Sequence, residues 1–305
     1  MVNCIKTYNI SKAIKGIKVL NNININVKKG QIYGLVGASG AGKTCLLQII
    51  TGLMKQDEGQ VYVFGDQIER NKNQFASKIG VSIQNQGFYG DLTVLENLII
   101  HTKLMGTYKK NTVLDIINLI DMYETRNIKY KKIGAGERAI LSIGRALLNH
   151  PDLLILDEPM NNLDPIGVRN IRELFVKMNR EKEVTTFITS RNLMEIEQIA
   201  DSIGIIHEGY LLEEISHKEL RKKIKRANVL KVEEVSRALK VLECDLNCFD
   251  YELLQNDEIY IYNVNLEMSD IINKFVENEI KIQKAYPKEE SLESYFIKLT
   301  GGERI

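Results

Sequence analysis

The chain has 305 residues, 44% hydrophobic and 27% charged, enough apolar material for one large domain and a smaller one. A formal net charge of +1 gives no electrostatic case for nucleic acid or an anionic membrane surface, and four cysteines make no disulfide framework. No run approaches the roughly 18 to 20 apolar residues that span a bilayer, and the amino terminus has no apolar signal core. A cytoplasmic protein is therefore expected, reaching any membrane through a partner.

In chain order, residues 1 to 36 alternate in the manner of strands, Ile23 to Val27 most clearly. Gln31 to Val36 is a short apolar strand, and Thr44 to Ile50 reads as a buried helix. Between them stands Gly37-Ala38-Ser39-Gly40-Ala41-Gly42-Lys43-Thr44, followed by Cys45. Two glycines five apart and then Lys-Thr form the phosphate-loop pattern, in the strand, loop and helix context that the motif requires. Backbone N–H groups of a glycine-rich turn can converge on a phosphate because no Cβ blocks their approach. The helix that follows adds the positive end of its dipole. Lys43 supplies a charge for the β- and γ-phosphates, and the Thr44 hydroxyl a ligand for Mg²⁺. A nucleoside triphosphate is the expected ligand.

Val61 to Phe64 and Lys78 to Ile83 read as further strands, the second ending at Gln84. From Gly90 to about Lys132 the chain is mostly helical, with Leu92, Leu95, Leu98 and Ile99, then Val113, Ile116, Ile117 and Ile120, at helix spacing. Leu153 to Pro159 has four apolar residues fit for a buried parallel strand, ended by Asp157 and Glu158. That is a Walker B pattern, placing Asp157 on Mg²⁺ and Glu158 on the attacking water. Thr186 to Ser190 and Ser202 to Ile206 are strands, with a helix from Leu193 to Ala200 between them. Cys244 and Cys248 lack the second ligand pair that a zinc site needs.

From residue 217 the character changes. His217 to Arg226 is a basic linker helix, followed by strand 228–232, helix 233–243, strands 249–254 and 258–263, helix 268–278, strand 280–286 and helix 291–299. That order is ferredoxin-like. The expected fold is α/β: a P-loop NTPase core over 1–216, with a mixed sheet, an antiparallel β layer and a helical subdomain inserted at about 85–148. A small α+β domain covers 217–305.

The motifs occur in a fixed order: phosphate loop, Gln84 at a strand end, helical insertion, a glycine-rich segment before a helix, Walker B with Glu158, and Asn161-Asn-Leu-Asp-Pro165. In that order the chain resembles the ATP-binding subunit of an ABC transporter across residues 1 to about 215. Gly87 to Leu98 and Ser291 to Gly301 look like the bacitracin-export and lantibiotic-immunity branch. The resemblance implies two ATP-binding subunits, identical or different, closing head to tail around two ATP molecules beneath a transmembrane permease. It implies a Gln84 that senses the γ-phosphate and joins Thr44 and Asp157 around Mg²⁺, and an Asp164 at the dimer seam. Nothing in it implies nucleic acid.

The chain also departs from the family. The signature segment falls at Ile133-Gly134-Ala135-Gly136-Glu137, with Gly134 in place of the serine that meets the γ-phosphate. Losing one hydrogen bond to a charged group costs about 1.5 to 3 kcal/mol. Arg191 stands where the switch histidine would, able to balance charge but not to act as a neutral relay. Ile14 stands where an aromatic would stack on adenine, and Cys45 where a second hydroxyl is common. Two readings remain open from the residues: an ATP-hydrolysing motor of a membrane exporter, or an ATP-binding regulatory subunit, including the degenerate half of a heterodimer.

Overall fold

The computed structural model describes residues 3–68, 75, 77–83, 87–223, 226–254, 257–263, 266–289, 295 and 299. Gln84 and most of the expected helix 291–299 lie outside them. One compact unit spans Met1–His217 and a second Lys218–Lys298.

The first unit opens with β1 (Asn3–Ile14), β2 (Ile17–Ile23), β3 (Asn26–Lys28) and β4 (Ile32–Val36), followed by α1 (Lys43–Ile50). β5 (Glu58–Val63), β6 (Asp66–Gln67) and β7 (Ile79–Ser82) come next. The helical segment holds α2 (Val94–Leu104), α3 (Lys110–Leu119) and α4 (Ala135–Leu147). β8 (Leu153–Asp157), α5 (Pro165–Lys182), β9 (Thr185–Ser190), α6 (Leu193–Glu197), β10 (Ser202–His207) and β11 (Tyr210–Ser216) complete it.

Two sheets result. One is an antiparallel layer in the order β2-β1-β5-β6, with β3 also paired to β1. The other runs β11-β10-β4-β9-β8-β7, parallel except for β11 at its edge. Every residue of β4, β8 and β9 is buried, as a parallel sheet covered on both faces requires. One core cluster joins the two layers through α1, where Leu46, Leu47, Ile49 and Ile50 are fully buried beside Leu35, Val61 and Phe187. Each contributes about 1.5 to 3 kcal/mol of burial, so α1 is anchored on both sides.

Some elements differ from the sequence pattern. Ile23 to Val27 is not one strand: the chain breaks between β2 and β3, and Asn22 is left-handed with φ 55°. α6 stops at Glu197, short of Ala200; its start is fixed by Asn192, whose side-chain oxygen accepts the Met194 N–H at 3.0 Å. In α2 the buried residues are Val94, Asn97, Leu98 and Thr102, with Leu95 only partly covered. Asn97 is buried because it is fully used: it accepts from Tyr89 N–H at 2.8 Å and donates to the carbonyls of Tyr89, Leu92 and Thr93. It thereby pins the Tyr89 to Thr93 turn to the start of its own helix. Thr93 and Glu96 form a capping box at the same helix start. α5 and β11 go beyond the sequence pattern, since one face of each is exposed and their apolar signal is weak.

After α7 (His217–Lys223), the second unit runs β12 (Arg226–Val232), α8 (Val235–Cys244), β13 (Tyr251–Leu254), β14 (Glu258–Ile261), α9 (Met268–Glu277) and β15 (Ile282–Glu289). Its antiparallel sheet has the order β13-β14-β12-β15, which is the ferredoxin-like arrangement expected from the order of elements. Ala238, Leu242, Ile271 and Phe275 from the two helices pack on Leu230, Ile259 and Ile261 of the sheet.

Candidate nucleotide site

The carboxyl ends of β4, β8 and β9 bring the site together. After β4, Gly37 turns so tightly against β10 that a Cβ would stand 2.2 Å from the Ile206 carbonyl oxygen. Gly42 is left-handed at φ 104°, where a Cβ would meet Leu20 at 2.7 Å and the Val19 carbonyl at 2.9 Å. Only glycine fits either position without shifting a neighbouring strand. Gly42 caps α1 with no side chain, so the helix start keeps the N–H groups that an anion can take. Ala38, Ser39, Gly40 and Ala41 form the intervening turn, closed by Ala41 N–H on the Ala38 carbonyl at 3.2 Å.

Lys43 is 5% exposed and folds back over this turn, donating to the carbonyls of Gly37 at 2.7 Å and Ala38 at 2.9 Å. Burial holds its pKa below the usual lysine value, partly offset by the Glu158 and Asp157 carboxylates. Its ammonium lies 3.5 Å from Glu158 Oε1. The two acids diverge at the end of β8. Asp157 stays in the strand and is 8% exposed; one of its oxygens accepts the Thr44 hydroxyl at 2.7 Å and the other the Thr189 hydroxyl at 2.6 Å. Glu158 turns out of the strand with a left-handed φ of 47°, uncommon for a non-glycine residue. Its Oε2 accepts from Arg191 Nε at 2.8 Å and from Asn161 at 3.3 Å.

Lys43, Thr44, Asp157, Glu158 and Arg191 thus form one connected group. Arg191, expected only to balance charge near the phosphate, pairs directly with the second acid. Asn161 and Thr189 belong to the same group and were not singled out in the sequence. Asn161 sits in the segment after Walker B, while Thr189 carries no motif signal.

The remaining residues lie apart. Cys45 faces the core, its sulfur 3.7 Å from that of Met54. Ile14 is 38% exposed at the turn between β1 and β2, able to offer apolar contact. Asp164 caps α5, accepting the Gly167 N–H at 2.8 Å. Gly134, Ala135, Gly136 and Glu137 open α4, where the Glu137 carboxylate accepts the Gly134 N–H at 2.9 Å. Gly136 lies against the segment after Walker B; a Cβ there would be 3.3 Å from the Asn162 carbonyl.

The donors suit Mg²⁺ with a triphosphate. Mg²⁺ takes one or two protein oxygens and completes its shell with phosphate and water. Thr44 and Asp157, hydrogen-bonded to each other beside a buried lysine, are such a pair.

Comparison with known proteins agrees with this geometry. Residues 20–161 match the family model described as ABC transporter. Over 307 residues the chain is 40% identical to the bacitracin transport ATP-binding protein BcrA of Bacillus licheniformis, covering 100% of both chains. It is 34% identical over 208 residues to the lantibiotic transport ATP-binding protein SrtF of Streptococcus pyogenes, covering 68% of this chain and 89% of that one. Among solved structures, the ATP-binding cassette MJ0796, a dimer bound to ADP and Pi in a post-hydrolysis state, superposes with a TM-score of 0.65 at 26% identity. That match covers 70% of this chain and 98% of the cassette. The chain belongs to the ABC transporter ATP-binding family and is the ATP-binding subunit of such a transporter.

Proposed function

We propose that the chain binds Mg·ATP in the Gly37–Thr44 loop, hydrolyses it with Glu158 as the general base, and so powers a membrane exporter of antimicrobial peptides. ABC ATP-binding domains are generally ATPases, and such subunits dimerise and work with transmembrane permeases. No helix among the described residues is long and apolar enough to cross a membrane. In this reading the subunit works at the inner face of the membrane, held there by its permease. The full-length likeness to a bacitracin transport protein supports a peptide antibiotic as cargo.

The observation that carries this reading is the single network joining Lys43, Thr44, Asp157 and Glu158. Lys43 binds the phosphates by exchanging its loop carbonyls and Glu158 for phosphate oxygens. Thr44 and Asp157 would hold Mg²⁺, which when bound would supply positive charge to the phosphates. Glu158 is the base that takes the proton of the attacking water, and Arg191 with Asn161 keeps its Oε2 fixed. Phosphoryl transfer depends mainly on position and charge, so this half of the site suffices for chemistry once the partner subunit closes. Turnover should be slow. Gly134 offers no hydroxyl, and Glu137 places its own negative charge at the α4 start, where it opposes an incoming phosphate.

Arg191 is a positioning residue in this scheme. Arg191→Ala should lower kcat about 10-fold, the loss of one charge-assisted bond, while leaving ATP affinity within about 3-fold. Steady-state phosphate release and nucleotide titration check this; an equal fall in affinity would place Arg191 on the phosphate instead. The function itself is tested by co-expressing the chain with a permease in a peptide-sensitive host. Resistance that vanishes with Glu158→Gln is the expected result, and resistance that survives it would refute ATP-driven export.

A further inference from the structure

Thr189 holds both acids of the site with one hydroxyl. β8 and β9 pair in parallel with Asp157 opposite Thr189, and Thr189 is completely buried. Its hydroxyl donates to Asp157 Oδ1 at 2.6 Å and accepts the Glu158 N–H at 2.9 Å. A hydroxyl has a single proton, so the direction of both bonds is fixed: the carboxylate takes the proton and the amide meets a lone pair. The other Asp157 oxygen accepts from Thr44, the residue suited to Mg²⁺. With Thr44 committed to the metal, Thr189 is the donor that still orients Asp157. The amide it accepts belongs to the residue whose φ of 47° turns the base out of the strand.

We propose that Thr189 is a positioning residue that sets two things at once: the orientation of Asp157 toward Mg²⁺ and the turn that aims Glu158. The proposal rests on the Mg·ATP reading above and adds a residue from outside its motifs. Valine matches threonine in shape but carries neither donor nor acceptor, so Thr189→Val leaves a buried carboxylate oxygen and a buried N–H unpaired together.

The test compares Thr189→Val and Thr189→Ser with the parent, using a fluorescent ATP analogue titrated with and without Mg²⁺, phosphate release, and thermal melting. Thr189→Val should raise the half-saturating Mg²⁺ concentration about 10-fold and lower kcat about 10- to 100-fold, as loss of a bond to a charged group implies. Nucleotide affinity in EDTA should stay unchanged, because Lys43 and the glycine loop are untouched. Thr189→Ser keeps the hydroxyl and should remain within about 3-fold of the parent on both measures. If melting shows that valine is not accommodated, Thr189→Ala carries the same comparison. A Thr189→Val protein with parental Mg²⁺ dependence and turnover would overturn the proposal, as would a serine variant as impaired as valine. A parent without turnover would defeat the hydrolysis reading alone, since the Mg²⁺ dependence of binding still decides on Thr189.

Discussion

Replacing Lys43 with methionine should weaken ATP binding by about 100-fold, since charge-assisted bonds to two phosphates are lost together. The effect is large because, among the described residues of the network, the one other cation is already engaged. Lys43 is 5% exposed, and the other cation of the network, Arg191, is tied to Glu158. Methionine keeps most of the buried aliphatic length, and burial already disfavours the lysine charge, so the fold should be retained. Titration of a fluorescent ATP analogue, with thermal melting as control, checks both statements. Affinity within a few-fold of the parent would mean that the backbone cradle binds phosphate without the ammonium.

Glu158→Gln should lower turnover by about 100- to 10,000-fold, the range expected when a general base is removed. Glutamine keeps the shape and can still accept from Arg191 and Asn161, so Mg·ATP affinity should hardly change. With hydrolysis blocked, ATP should hold two ATP-binding subunits together, and the variant should elute as a dimer with Mg·ATP and as a monomer without it. Single-turnover phosphate release and size-exclusion chromatography check the two halves of this expectation. Residual turnover within about 10-fold of the parent would remove Glu158 from the role of base.

The parts of the site that were legible in the sequence are those built from neighbouring residues. The loop from Gly37 to Thr44 is a local turn whose backbone demands glycine at two contacts, and the order of residue types reports that demand directly. Leu153 to Glu158 is a buried strand ended by acids, equally local. The ferredoxin-like order of the second unit could also be read, because each element carries its own periodicity. What could not be read depends on register between strands. Thr189 meets Asp157 because β8 and β9 pair at that position, and no spacing along the chain encodes it. The Arg191–Glu158 pair joins the ends of the same two strands, so it stayed hidden although both residues had been singled out. Asn97 sits on what reads as an apolar helix face and is buried because the turn just before its own helix, Tyr89 to Thr93, supplies its partners, a fold-back that periodicity does not report. Glu137 folds back on Gly134, which bears on the departure at the signature more than the missing hydroxyl alone.

On the proposed function the site both binds ATP and turns it over, despite Gly134 and Arg191. The direct measurement is phosphate release by the purified chain with Mg·ATP, read together with its size on a column. Slow but steady release, with a dimer that forms and dissociates in the parent and persists in Glu158→Gln, is the predicted result. A stable ATP-bound dimer of the unaltered chain, with no phosphate released above the Glu158→Gln level, would contradict it.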